Sequence, residues 1–372
     1  MLKIINVAGA RPNFMKVAPI VAAMNRRARE FRHVLVHTGQ HYDAAMSSAF
    51  FRDLEIPEPD IDLGVGSGSH AVQTAGVIQA FEPYVISEKP DWVLVVGDVN
   101  STVACALVCA KLGVKVAHVE AGLRSRDRTM PEEINRILTD QIAELLLTPS
   151  EDANANLRAE GIPEERIRMV GNIMIDSLKA NLARARASTI LNELDLEGKD
   201  YGILTLHRPA NVDERAALRG ILHALKEIGR RVPIIFPAHP RTRKMIDELE
   251  LTSEFENAKG LVMIEPAGYL DFLKLMSGAR VVLTDSGGIQ EETTVLGIPC
   301  VTMRENTERP ITVEMGTNTI AGTDTAKIVA AANRALDNPP DKSNLKIPPL
   351  WDGRTADRIL DALAEPPAVA GG

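Results

Sequence analysis

Aromatic side chains are scarce in this 372-residue sequence, at 4%, and cations are outnumbered, with 42 Lys and Arg against 50 Asp and Glu. The first shortage removes the stacking platforms on which single-stranded nucleic acids are held. The second, a formal net charge of −8, removes the basic footprint that a nucleic-acid partner requires. A small anionic ligand is not excluded, because a cleft can be locally basic in an acidic protein. Three cysteines occur, Cys105, Cys109 and Cys300. So sparse and odd a set offers no disulfide framework and fits a reducing compartment. Cys105 and Cys109 lie one helical turn apart, but no second Cys or His pair stands nearby, so they read as core thiols rather than metal ligands. Nowhere do about 18 apolar residues run together, so no membrane span is expected. The opening MLKIINVAGARP also lacks the basic region and long apolar stretch of a signal peptide. A cytoplasmic protein without membrane or nucleic-acid partners is expected.

Two nucleotide fingerprints are missing as well. No GxGxxG follows the first strand and no GxxxxGK[ST] occurs anywhere, so neither a dinucleotide cofactor nor a P-loop is indicated. No cofactor and no metal is expected.

What is present is an alternation of short apolar runs with longer helical patterns, the mark of parallel sheets covered by helices. In the first half strands are predicted at Lys3–Ala8, His33–His37, Trp92–Gly97, Lys115–Glu120 and Leu145–Thr148, with helices over Asn13–Arg29, His70–Ser87, Ser101–Leu112 and Pro131–Leu145. The second half repeats the rhythm, with strands at Tyr201–Leu206, Pro233–Ala238, Leu261–Ile264, Val281–Thr284 and Cys300–Met303. Its helices are predicted over Asp213–Arg230, Arg241–Glu248, Gly268–Met276 and Gly288–Leu296. The length and 45% hydrophobic content suit two cores. Two doubly wound α/β domains facing each other across a cleft are therefore expected, joined through the stretch from Val170 to Lys199, which carries its own helix. The division is placed at 1–172 and 173–354.

Ligands of open α/β sheets bind at the carboxyl ends of strands, and charged, polar and glycine residues collect there. After the first strand come Gly9-Ala10-Arg11-Pro12-Asn13 and Lys16, cations near the start of a helix whose N–H groups favour an anion. Asp98 follows the Trp92 strand in Gly-Asp-Val-Asn-Ser-Thr, Glu120 ends the next in His-Val-Glu-Ala-Gly-Leu-Arg, and Glu132 opens a helix in Pro-Glu-Glu. Singly, Asp98 also suits a helix cap and Glu132 a helix dipole. Three carboxylates at one sheet edge must shift each other's protonation, as acid/base groups do. In the second half His207-Arg208 and His239-Pro240-Arg241 follow strands and read as anion contacts. The sharpest signal is Thr284-Asp285-Ser286-Gly287-Gly288-Ile289-Gln290-Glu291-Glu292. A strand ends there, glycines let a ligand approach, and a helix starts with free N–H groups: a pyrophosphate cradle, with Glu292 one turn in to accept from a ribose diol. Arg309 adds a cation.

In order, the segments GARP with a following Lys, QH, GDxNST, HVEAGLRS, MPEEINR, LTLHR, HPRT, DSGGIQEE and TERP resemble those of the non-hydrolysing UDP-N-acetylglucosamine 2-epimerases, from about Lys3 to the Arg354–Leu363 region. The resemblance implies two Rossmann-like domains in the glycosyltransferase-B-like arrangement, a last helix over about 355–372 crossing back to the first domain, and a homodimer. It implies a UDP-N-acetyl-hexosamine substrate, with Asp98, Glu120 and Glu132 as acid/base carboxylates. Arg11, Lys16 and His207 then touch substrate or its phosphates. Ser286, Gly287, Gly288, Glu292 and Arg309 fall at nucleotide-binding positions, and Phe272 at one beside the base. Members with a regulatory second substrate site carry glutamines shortly after the QH pair; here Gln40-His41 is followed by Tyr-Asp-Ala-Ala-Met-Ser. The activity expected is reversible C2 epimerisation through elimination of UDP. A 2-epimerase of UDP-diacetamido-uronic acid sugars shares many of these motifs, and a UDP-sugar transferase of the same fold would share the cradle.

Overall fold

The computed structural model describes residues 1–9, 11–39 and 58–365, with Arg11 and Pro12 given by backbone alone. Gln40-His41 and the residues after them lie outside the described ones. The chain divides into two compact units, Met1–Ala180 with Pro349–Gly372, and Asn181–Pro348. The passage from one to the other falls within the helix Ile173–Ala185.

The first unit is built on strands β1 (Leu2–Ala8), β2 (Phe31–His37), β3 (Ile61–Asp62), β4 (Trp92–Val96), β5 (Lys115–Val119), β6 (Leu145–Thr148) and β7 (Ile167–Met169). They pair in parallel in the order β3-β2-β1-β4-β5-β6-β7. The second unit carries β8 (Gly202–Thr205), β9 (Ile234–Pro237), β10 (Leu261–Ile264), β11 (Val281–Thr284), β12 (Cys300–Thr302) and β13 (Asn318–Ile320). Its order, β10-β9-β8-β11-β12-β13, is also parallel throughout. Both are the Rossmann order. Central strands such as Trp-Val-Leu-Val-Val in β4 and Val-Val-Leu-Thr in β11 are buried along their whole length, as strands covered by helices on both faces must be. The covering helices show the matching period: in Arg215–Ile228, Leu218, Ile221, Leu222, Leu225 and Ile228 form one buried stripe. Cys105 and Cys109 are packed in the first core on the helix Asn100–Leu112.

The expected two doubly wound α/β domains are found, and the structure adds what short patterns hide. Strands β3, β7 and β13 are two or three residues long and partly exposed. The helices Glu151–Ala159 and Thr325–Asp337 also escaped the reading. The helix predicted to run to Leu145 stops at Ile142, because Ala143 turns extended to start the approach to β6.

In each sheet the strand order reverses beside the first strand, between β1 and β4 and between β8 and β11. There the helices after neighbouring strands cover opposite faces and leave a crevice at the carboxyl ends. The chain closes on the first unit with the helix Thr355–Ala364, which packs on the helix Arg11–Arg26. Arg27 reaches Asp361 at 2.6 Å and Arg26 reaches Asp357 at 3.1 Å. Buried Asp176 accepts from the Thr355 and Ala356 N–H groups at 3.1 and 2.8 Å, serving as the cap that Arg354 does not provide. Trp351 donates its indole N–H to the Pro149 carbonyl at 2.9 Å. No described helix is long and apolar enough to cross a membrane. Asp176→Ala leaves two helix N–H groups without an acceptor and should cost about 0.5–2 kcal/mol, read from the urea midpoint of the intact chain.

Candidate active site

At the edge where β4 and β5 end, Gly97 and Glu120 leave their strands side by side, Gly97 N–H donating to the Val119 carbonyl at 3.1 Å. Glu120 is buried, and its carboxylate is paired with the ammonium of Lys16, which the helix Arg11–Arg26 brings in from the end of β1. A side chain at Gly97 would stand about 3.1 Å from the Lys16 nitrogen and 3.4 Å from Glu120 Oε2, so only glycine lets the peptide pass beneath the pair. Glu120 has φ +67°, a left-handed conformation that costs a residue with a Cβ on the order of 1–3 kcal/mol and marks sites the surroundings hold in place.

Asp98, the next residue after Gly97, keeps 31% of its side chain exposed and is ion-paired through Oδ2 with Arg136. It caps no helix: the following one starts after Val99, without a side-chain cap. The helix Pro131–Ile142 holds the Asp98 turn. Asn135 donates to the Asp98 carbonyl at 2.9 Å, and Arg136 joins Asp98 to buried Glu133 at 2.8 Å. Glu133 accepts in turn from the Ser125 and Arg126 N–H groups, both at 2.9 Å. Burial would raise its pKa; the Ser125 N–H and Arg136 outweigh that and lower it. Glu132 sits in the first turn of the same helix, half-buried, with no hydrogen bond or ion pair from its side chain among the described residues. Beneath this edge lies a buried chain of charge: His118 bridges the Gly97 carbonyl and Asp140, and Arg124 ties Asp140 to Glu160.

In the second unit Asp285, fully buried after β11, gathers the end of β8. It accepts from the His207 and Arg208 N–H groups at 3.0 and 2.9 Å and lies 2.9 Å from His207 Nδ1. Burial works against its charge, but His207 and these N–H groups prevail and its pKa is lowered. The imidazole of His207, held by Nδ1, stays 47% exposed. Next comes the helix Gly287–Leu296, whose cap Ser286 makes no side-chain capping bond and whose first turn has no acidic residue. Neither its cap nor its own first turn therefore supplies a side-chain acceptor to its amino end. A side chain on Gly287 would meet Glu308 Oε1 at 2.6 Å and Arg309 Nη1 at 2.7 Å. Arg309 is buried between Glu308 and Glu291, at 2.8 and 2.6 Å, and Arg304 also reaches Glu308 at 2.8 Å. Its charge is thus engaged inside the unit.

Glu292 is buried one turn into the same helix, with Tyr269 Oη 3.5 Å away. Burial, and then the neighbouring Glu291 charge, push its pKa up to about 8. Phe272 lies half-buried one turn along the helix Tyr269–Gly278. Among the described residues no three His, Cys, Asp or Glu side chains gather as metal ligands would.

Lys16, Asp98, Glu120 and Glu132 thus belong to one strand edge of the first unit, and His207, Ser286, Gly287, Gly288, Glu292 and Arg309 to the second. The Arg11 side chain lies outside the described residues. The His239–Arg241 pair also follows a strand end: His239 Nδ1 caps its own helix by accepting from Arg241 N–H at 3.2 Å, and Arg241, still 47% exposed, is ion-paired with Asp213 at 2.8 Å. Asp285, Arg136, Asp140 and His118 went unassigned in the sequence reading. Each stands inside or beside a quoted motif, but their partners come from other elements and leave no local signal.

Two Rossmann-like units, each with its charged and glycine residues at the strand ends where the order reverses, define a tandem α/β protein of the kind that holds ligands at that edge. Comparison makes this particular. The chain belongs to the UDP-N-acetylglucosamine 2-epimerase family, whose model matches residues 23–364. It is 46% identical to a UDP-N-acetylglucosamine 2-epimerase homolog of Methanococcus maripaludis, over 88% of this chain and 91% of that one. It is 42% identical to the UDP-2,3-diacetamido-2,3-dideoxy-D-glucuronate 2-epimerase of Pseudomonas aeruginosa, over 90% and 92%. The crystal structure of Methanocaldococcus jannaschii UDP-GlcNAc 2-epimerase in complex with UDP-GlcNAc and UDP superposes with a TM-score of 0.89 at 42% identity, covering 98% of this chain and all of that one.

Because the folded chain holds the Glu292 proton more tightly than the unfolded chain does, this residue lowers stability progressively as pH rises from about 4.5 through about 8. Glu292→Gln should flatten that fall in the ligand-free protein and gain melting temperature at the alkaline end only. Melting curves across the range check it; parallel curves for both proteins would remove the buried proton.

Proposed function

We propose that this protein reversibly inverts C2 of UDP-N-acetylglucosamine to give UDP-N-acetylmannosamine, by eliminating UDP to 2-acetamidoglucal and adding it back. The observation that carries the reading, in a chain of this family, is the juxtaposition at the β4–β5 edge of Glu120 on Lys16 with Asp98 on Arg136. The C2 proton of an amino sugar has no carbonyl beside it, so a base alone does not remove it. Breaking the C1–O bond changes that, since the developing oxocarbenium acidifies C2–H. In the α-gluco sugar both bonds are axial on opposite faces, which suits anti elimination. The C–H electron pair becomes the C1–C2 double bond, the proton passes to a carboxylate, and UDP leaves with the C1–O pair. Protonation from the other face and return of UDP at C1 complete the inversion.

The residues divide between the units. Asp98, Glu120 and Glu132 of the first exchange the proton, with Lys16 and Arg11 toward the substrate and its phosphates. The second holds the nucleotide: the helix end at Ser286, Gly287 and Gly288 and the Asp285-held His207 receive the departing diphosphate. Glu292 accepts from the ribose and Phe272 lies beside the base. Arg309, whose guanidinium stands against Gly287, walls the cradle. No cofactor enters this scheme. We further infer a homodimer from the family resemblance and a cytoplasmic setting from three buried, unpaired thiols.

A second reading has its own support. Identity to the Pseudomonas aeruginosa diacetamido-glucuronate enzyme, 42%, equals that to the Methanocaldococcus jannaschii UDP-GlcNAc enzyme. One experiment separates them: the purified chain with UDP-N-acetylglucosamine in D₂O, followed by proton NMR. Deuterium at C2 with growth of the UDP-linked manno epimer is expected. Free N-acetylmannosamine would make the enzyme hydrolysing, and exchange only with the diacetamido-uronate would move the assignment to that sugar. Asp98→Asn and Glu120→Gln should each slow exchange by about 10²–10⁴-fold with UDP affinity retained, whereas Glu292→Gln should weaken UDP binding in calorimetry. Near-normal exchange in both carboxylate variants would sink the acid/base assignment.

A further inference from the structure

His118 occupies a core position on β5 that a leucine could fill, yet it is an imidazole with no exposure at all. Its Nε2 lies 2.8 Å from the Gly97 carbonyl oxygen, a group that can only accept. Its Nδ1 lies 2.7 Å from Asp140 Oδ1. Asp140 also accepts from the Gly122 N–H at 3.1 Å and lies 2.8 Å from the Arg124 guanidinium, both of which favour the ionised carboxylate. Asp140 is held low in pKa even though burial alone would raise it, as the His118 and Arg124 contacts prevail. With acceptors on both sides, the ring donates from both nitrogens and carries a proton on each. The charged groups around it are Asp140 and, through Asp140, Arg124, which passes on to Glu160; beyond Gly97 stands the Lys16–Glu120 pair.

The two ends of this bridge are the two turns that present the proton-transferring carboxylates. Gly97 at φ +71° is the residue before Asp98, and its Cα faces the Lys16–Glu120 pair. Gly122 at φ +81° follows Glu120 at φ +67° by two residues. Each turn keeps one backbone bond to the neighbouring strand, Gly97 N–H to Val119 and Ala121 N–H to Leu147, and one buried ring reaches both, directly to Gly97 and through Asp140 to Gly122.

We propose that His118, protonated on both nitrogens against Asp140, is a positioning residue that sets the spacing of Asp98 and Glu120 by pinning the turns that carry them. This rests on the reading of those carboxylates as the acid/base groups. It touches no substrate; it acts through two backbone positions, and its removal acts on proton transfer and leaves the nucleotide receptor of the other unit alone.

The first test needs no variant. In the full chain with ¹⁵N-labelled histidine, His118 should show two protonated ring nitrogens, as its two acceptors require. One unprotonated nitrogen would overturn the proposal. The second is His118→Gln, whose amide donates from one nitrogen and presents an acceptor oxygen in place of the other. Deuterium exchange at C2 should slow by about 10–100-fold, as expected for misplacement on the order of 1 Å, with KM and UDP affinity within about twofold. Unchanged exchange would overturn it, as would exchange and UDP affinity falling together, the pattern of general structural loss. If the variant does not fold, the wild-type spectrum decides. Normal exchange in Asp98→Asn and Glu120→Gln would instead remove the acid/base reading, an outcome distinct from either result at His118.

Discussion

Parallel strands can be joined only by crossovers that carry the chain back over a face of the sheet, and all thirteen described strands here pair in parallel. That constraint collects every carboxyl end on one edge of its sheet. At that edge the backbone leaves the ladder, and its N–H and C=O groups need other partners. In the first unit the partners are side chains: Asn135 and Asp140, sent from the helix Pro131–Ile142, meet the Asp98 carbonyl and the Gly122 N–H, and His118 of β5 meets the Gly97 carbonyl. In the second, one carboxylate, Asp285, takes the N–H groups of His207 and Arg208 together. The groups with chemistry are therefore not attached to loose loops. They stand on turns whose conformation is fixed from below.

The manner of fixing is charged rather than apolar, which is costly. Lys16–Glu120, Asp98–Arg136–Glu133, His118–Asp140–Arg124 and Glu291–Arg309–Glu308–Arg304 are all wholly or largely withdrawn from water. Replacing such groups by well-packed hydrophobic residues is often neutral or stabilising, so their presence is weak support for stability. What they provide is direction: a bidentate or bridging charge accepts one geometry where a leucine accepts several. Glu292 is the exception in kind. It has a carboxylate neighbour and a phenol but, among the described residues, no cation contact, and its raised pKa reflects burial and that neighbour. A buried acceptor without a cation is suited to a neutral donor such as a hydroxyl, whereas Arg309, a few residues away in space, is already saturated by two carboxylates.

The sequence showed both sheets through their central strands, because a strand covered on two faces must be a continuous apolar run. Edge strands β3, β7 and β13 left no such run and were invisible. Glycines and carboxylates at strand ends were legible because each stands directly after an apolar run: Asp98 after β4, Glu120 at the end of β5, Ser286 and Gly287 after β11. What could not be read was which charge answers which. In Pro-Glu-Glu-Ile-Asn-Arg the eye falls on Glu132, but Glu133, Asn135 and Arg136 hold the site's backbone, while the Glu132 carboxylate has no partner among the described residues. His239 and Arg241 looked like anion contacts because they follow β9 as His207 and Arg208 follow β8. The two pairs differ in their partners: Asp285 gathers His207 and Arg208, while His239 caps its own helix and Arg241 meets Asp213.

The same division explains why identity alone does not choose the sugar. Inversion at C2 through elimination involves C1, C2 and the diphosphate, the positions that the proposed assignment gives to the networks at the two strand edges. The substituents at C3 and C6 are spectators to the electrons that move. A chain can therefore share 42% of its residues with a UDP-GlcNAc 2-epimerase and as many with a diacetamido-glucuronate 2-epimerase while keeping one set of acid/base turns. A uronate carries one more negative charge than a hexosamine, and a site that binds it closely needs a cation whose charge is still available. Arg136, Arg309, Arg304 and Lys16 are each paired already with a carboxylate of the chain. On the first-unit edge the described Lys16 and Arg136 face Glu120, Asp98, Glu133 and Glu132, an acidic balance that suits the neutral ring of an N-acetylhexosamine better than the extra carboxylate of a uronate.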